Sequence, residues 1–167
     1  MNTKTHRTLL GMTYAAVIAA LYVALTFLSS LFGLSGQGAV QLRISEALTV
    51  LPYFTAAAVP GVTLGCLLAN LLTGAAAPDL IFGTLATLLG AIGTRALRRW
   101  RWLAPLPPVL CNTLIIPFVI RYCYVDVTDS IWFLFATVGA GEILSAGVLG
   151  LLLLFALEKH RTRIFKV

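Results

Sequence analysis

Few side chains in this sequence can do chemistry, and most of those lie in apolar stretches. Glu142 follows Gly139-Ala140-Gly141 and is the only charged residue between 130 and 157. Arg43 and Glu46 are three positions apart, which places them on one helix face. Asp79 follows Pro78, and Asn70 and Asn112 are amides in apolar company. A carboxylate accepts paired N–H donors in a charge-assisted contact. An amide both donates and accepts, and an amide in lipid needs partners. Such a set suits the capture of a polar molecule.

Each residue also has a plainer explanation. Glu142 can be a protonated or Arg-paired structural residue. Arg43 and Glu46 can anchor a helix end as an ion pair, with Glu46 favoured by the helix dipole. Asp79 can cap a helix, Arg121 can snorkel, and Asn70 and Asn112 can bond between helices. Tyr53, Phe54, Phe82 and Trp132 can stack on a flat ligand or simply pack.

The elements that hold these residues follow from composition. Of 167 residues, 59% are hydrophobic and 11% charged, with a mean hydropathy of +0.95. So few charges cannot keep a monomeric globule of this size dissolved, which excludes a soluble enzyme and a disordered chain. Three irregularly spaced cysteines exclude a disulfide scaffold. The chain is read as an all-α polytopic membrane protein, one domain over 1–167. The expected spans are 9–32, 44–59, 61–76, 80–97, 106–125 and 131–157, a six-transmembrane-helix bundle. The first apolar run, about 24 residues, exceeds a signal-peptide core and is kept as a span. Glu142 then lies ~16 Å into the sixth span, near the midplane. An acid there costs on the order of 3 kcal/mol and is functional by default.

Basic residues fall in three clusters: Lys4 and Arg7; Arg95, Arg98, Arg99 and Arg101; Lys159, Arg161, Arg163 and Lys166. The positive-inside rule places all three in the cytoplasm, N-in/C-in, with Asp79, Asp126 and Asp129 in opposite loops. Parity requires an even number of crossings between clusters. Two spans joined at Pro60-Gly61 satisfy this, and so does a re-entrant hairpin; two spans are preferred. The loop 33–43 is made pliable by Gly33, Gly36 and Gly38. The net charge of +6 is distributed as topology signals, so nucleic acid is not expected, and RRWRW at 98–102 reads as an interfacial anchor. Ala15 with Ala19, and Ala16 with Ala20 and Ala24, form small-residue rows that let another helix approach.

The sequence has no phosphate-binding loop, no nucleophile elbow and no metal-ligand spacing, and His6 and His160 lie in the basic tails. No enzyme activity, metal or cofactor is expected. The chain is short for a transporter with paired repeats. A small bundle with a polar site and no engine suggests a capturing subunit powered by partners.

Five segments sharpen this: QLRISEALTVLPYF at 41–54, LGCLLANLL at 64–72, DLIFGTLATLLG at 79–90, APLPPVLCN at 104–112 and GAGE at 139–142. In order and spacing they resemble the QueT family, substrate-binding (S) components of energy-coupling-factor (ECF) transporters assigned to uptake of queuosine precursors. The first span matches only through its alanines. The resemblance implies an S component in a prokaryotic plasma membrane that captures a 7-deazaguanine such as preQ1 or queuine. Its partners would be a transmembrane coupling subunit and two ATPase subunits, and the S component would topple to deliver its cargo.

On that resemblance, Ala15, Ala16, Ala19 and Ala20 face the coupling subunit. The binding residues are Arg43, Glu46, Asn70, Asp79, Asn112 and Glu142. Glu142 or Glu46 takes the guanine edge, Asn70 or Asn112 the ring carbonyl, and Asp79 an aminomethyl cation. Three other readings stay open: an S component for another small vitamin, a small intramembrane enzyme using Glu142 and Arg43, and a self-sufficient carrier.

Overall fold

The computed structural model describes residues 3–34, 42–124 and 128–164. Among them every regular element is helical and no strand occurs. Helix α1 runs Thr3–Leu31, α2 Ala58–Leu72, α3 Thr84–Ala96, α4 Leu106–Cys123, α5 Ile131–Glu142, α6 Gly150–Glu158 and the short α7 Arg161–Ile164. Among the described residues four non-α stretches interrupt them: 3-10 helices over Ile44–Tyr53 and Arg101–Leu103, and π turns over Asp79–Gly83 and Ile143–Leu149. The π turns run directly into α3 and α6, so Ile131–Glu158 is one continuous helical segment. That segment, Thr5–Leu31 and Arg101–Cys123 are each long and apolar enough to cross a membrane; α2 is a shorter apolar helix.

The expected boundaries hold within a few residues for the last three spans. The first helix starts earlier, at Thr3, and takes in the basic N-terminal turn. The second differs in kind. The sequence predicts a helix over 44–59, but the structure has a 10-residue 3-10 helix followed by a turn at 54–57. Pro52 lies inside it and has no N–H to give. Irregular backbone survives at membrane depth only when buried in protein, and every residue from Ser45 to Tyr53 is buried. At about 2 Å rise per residue this stretch reaches only ~20 Å. The joint is correspondingly displaced from Pro60-Gly61 to 54–57. Pro60 sits in the first turn of α2, where N–H groups have no intrahelical acceptor to lose.

The buried 3-10 helix is the axis of the molecule. Helices α1, α2, α3 and α6 and the second π turn pack around it. Val50, Leu51, Phe54, Ala58, Val62, Cys66, Tyr22 and Leu154 form the shared core. Lipid tails are as apolar as leucine, so close packing, rather than escape from water, holds such helices together. Two glycines show how close. A Cβ on Gly65 of α2 would stand 2.6 Å from the Cβ of Tyr22 in α1. One on Gly90 of α3 would stand 2.7 Å from the Cα of Pro108 in α4. The first contact fixes the height of Tyr22. Much of the loop 33–43, Gly36 and Gly38 included, lies outside the described residues, as does Asp126.

Candidate functional site

The 3-10 helix brings its polar residues into line. With three residues per turn, positions three apart eclipse, so Glu46 sits one turn beyond Arg43 at the helix entrance. Arg43 Nη1 donates to Asn70 Oδ1 of α2 at 3.4 Å. Asn70 spends its amide N–H groups on the backbone carbonyl of Asp79, at 3.3 Å, and on Cys66 Sγ, at 3.6 Å. Asp79, at the start of the first π turn, accepts a hydrogen bond from the Tyr124 hydroxyl. Burial, with the hydrogen bond to Asp79 adding to it, pushes that hydroxyl up to about 12. Tyr124 lies beyond the last residue of α4 and stays a donor at neutral pH.

Glu46 is 2% exposed. One of its oxygens accepts from the Tyr22 hydroxyl. The other accepts from Asn112 Nδ2 of α4 at 3.5 Å. Glu142, at the end of α5, stands within electrostatic reach of Glu46 and Arg43 and within side-chain hydrogen-bond reach of Asn112. Its Oε2 is buried without a hydrogen-bond partner, as are the hydroxyls of Thr84, Thr113 and Ser145. Ser145 lies one turn beyond Glu142, and Thr113 lies against Gly139, one turn before it.

The six expected binding residues therefore share one polar cluster, from Asp79 through Asn70 and Arg43 to Glu46, Asn112 and Glu142. Their roles differ. Both oxygens of Glu46 are engaged from within the protein, whereas Glu142 keeps a free acceptor. The acids sit on or beside non-α turns: Glu46 within the 3-10 helix, Asp79 opening one π turn and Glu142 preceding the other. Such turns recur at functional sites because they re-aim side chains.

Tyr22, Cys66 and Tyr124 belong to the cluster although residue type and spacing did not single them out. The one available signal was Tyr22, a phenol within an alanine-rich helix that needs a hydrogen-bond partner when buried. The hydrogen bonds described above do not include the four expected aromatics. Tyr53 and Phe54 are buried and pack edge to face, 5.0 Å between centroids. Phe82 and Trp132 are exposed, Trp132 at 79%. Arg121 is exposed. Among the described residues no group of three His, Cys, Asp or Glu is placed to hold a metal.

A second feature lies on the opposite side of α2. A groove of about 1320 Å³ runs between α1 and α2, lined by Ala15, Ala16, Ala19, Ala20, Leu64 and Leu68 among others. The alanine rows divide the work. Ala15 and Ala19 lie against Gly61 and Gly65 of α2, while Ala16, Ala20 and Ala24 are exposed.

The QueT transporter family matches residues 12–159 of the chain. The chain belongs to the QueT transporter family. The match covers α1 from Met12 onward, all six cluster residues and α6. As a member of a transporter family with several long apolar helices, the protein is a membrane protein and not an enzyme. A curated relative, "Queuosine precursor transporter QueT" of Lactococcus lactis subsp. cremoris (strain MG1363), is 39% identical over 74 residues. That stretch covers 44% of this chain and 43% of the relative, so the match spans less than half of either. No solved structure matches the chain.

Proposed function

We propose that this QueT-family protein is the substrate-binding S component of an ATP-driven ECF importer and captures a queuosine precursor of the 7-deazaguanine class. The observation that carries the proposal is the buried cluster joining Arg43, Glu46, Asn70, Asp79, Asn112 and Glu142, with one carboxylate oxygen of Glu142 unpaired. A guanine-like edge offers a ring N–H beside an exocyclic amine, and one carboxylate accepts both. Glu142 takes that role. Glu46 positions Asn112 and Tyr22 and sets the field around Arg43. Asp79, at the far end of the cluster, suits the aminomethyl cation of preQ1.

The chain spans the membrane of a prokaryotic cell six times, with both termini inside. Several contacts support one basic end. Arg95 interacts with Arg98 and Arg161, Arg101 pairs with Glu158 at 3.6 Å, and the Tyr14 hydroxyl of α1 donates to the Ile164 carbonyl at 2.5 Å. The segments 44–53 and 58–72 are short for a ~30 Å core, yet as one crossing each they preserve parity. The groove presents Ala16, Ala20 and Ala24 to a helix of the coupling subunit, whose two ATPases supply the energy.

Titration of the detergent-purified chain with preQ1, queuine, preQ0, guanine, adenine and common vitamins tests this. A 7-deazaguanine binds and adenine does not, because adenine leaves the buried groups of the site unpaired. Saturable binding of a vitamin with no response to any 7-deazaguanine overturns the assignment.

A further inference from the structure

We propose that the pocket between Arg95, Arg98 and Arg99, at the basic end of α3, binds the phosphate headgroup of an anionic glycerophospholipid such as phosphatidylglycerol. The proposal stands independently of the substrate. Arg95 lies in the last turn of α3, and Arg98 and Arg99 in the turn that follows it, which brings the three side chains to one cavity. They line a cavity of about 610 Å³ together with Val59, Ile92 and Ala96. Like charges crowd here: Arg95 also interacts with Arg161. Glu158, an acid at this end, is already engaged by Arg101 at 3.6 Å. Arg95 uses Nη1 to hold the Pro52 carbonyl at 3.2 Å, which leaves most of its five N–H donors for another acceptor.

The walls distinguish a lipid from a free anion. Three guanidiniums recognise a phosphate through forked donors whatever its source. Here the remaining surface is apolar: Ile92 is half exposed, Val59 adjoins it, and the exposed Leu89 continues the face one turn up α3. The exposed Trp100 and Trp102 mark the depth as the membrane interface. A lipid's acyl chains cover that face while its phosphate meets the arginines; a free phosphate gains only the charge. Phosphatidylcholine carries its own cation against the cluster and is disfavoured.

Native mass spectrometry of the full chain, with phosphatidylglycerol and phosphatidylcholine added in equal amounts, tests the site. Phosphatidylglycerol adducts dominate in the wild type. The double variant Arg98→Gln/Arg99→Gln loses them by about 30-fold, taking the usual worth of one basic residue near a lipid surface twice over. Arg101→Gln, whose partner is Glu158, keeps them. Neither Arg98 nor Arg99 is buried, so the variants fold, and an unchanged melting temperature checks this. Equal retention of the two lipids, or undiminished phosphatidylglycerol binding in the double variant, overturns the proposal. Displacement of the lipid by an equal concentration of inorganic phosphate also overturns it and identifies a free-anion site.

Discussion

The polar cluster and the alanine-lined groove lie on either side of α2, and they are built by opposite means. The groove rests on regular α-helix, where small residues at i and i+4 repeat along one face. The cluster rests on a 3-10 helix and two π turns, each of which departs from that repeat. Regular geometry makes an extended surface suited to a partner helix. Irregular geometry gathers residues distant in sequence around one point. Damage to the cluster should therefore abolish binding, and damage to the groove should spare binding and impair coupling.

The largest effect is expected from Glu46→Ala. It strips the Tyr22 hydroxyl of its acceptor, takes one acceptor from Asn112 and removes a carboxylate that interacts with Arg43. Removing one member of a buried charged group costs about 3–5 kcal/mol. Thermal melting should show a drop of many degrees together with lost binding. A variant that melts like the wild type would mean that the cluster is not the framework of the fold.

Gly65→Ala probes the seam between the two regions. Its new Cβ would press on Tyr22 Cβ at 2.6 Å and on the Ala19 backbone at 3.1 Å. Overpacking of this kind costs about 1–3 kcal/mol. Because Tyr22 also serves Glu46, melting temperature and preQ1 affinity should fall together. A fall in stability alone would separate the seam from the site.

Ala20→Leu adds bulk to the exposed face of the groove and touches no cluster residue. Purified protein should bind preQ1 as the wild type does and melt within about 0.5 kcal/mol of it. Co-purification with the coupling subunit and uptake in whole cells should drop. Unimpaired uptake would move the docking face elsewhere.

Tyr124→Phe is the mildest test. It deletes one hydrogen bond to Asp79 at an exposed edge, so affinity should weaken by about 1 kcal/mol. The effect should appear with preQ1 and vanish with guanine, which has no aminomethyl group for Asp79 to meet. Equal weakening of both would place Asp79 away from the cation.

How much was legible follows the same division. The alanine rows could be read as helix faces because a regular helix makes position a guide to facing, but not that Ala15 and Ala19 pack on α2 while Ala16, Ala20 and Ala24 stay exposed. Glu142, Asp79, Arg43 and the two asparagines stood out because polar groups in lipid are costly. Their partnering did not. Nothing local ties Tyr22 to Glu46 or Asn112 to Glu46, contacts that cross 24 and 66 residues. The α-helix expected at 44–59 failed for a related reason. Hydropathy measures apolar length, and a buried 3-10 helix is as apolar as an α-helix. Pro52 was the visible warning, because a proline inside a helix removes a backbone donor wherever it falls.

Two neighbouring carboxyls, Glu46 and Glu142, are assigned unequal roles, and calorimetric titration of Glu142→Gln with preQ1 tests that assignment most directly. Glu142 Oε2 has no partner within the protein, so the variant should fold and melt as the wild type does. Its affinity for preQ1 should fall by at least about 100-fold, the loss expected for one partner of a buried charged contact. Wild-type affinity in that well-folded variant would contradict the account.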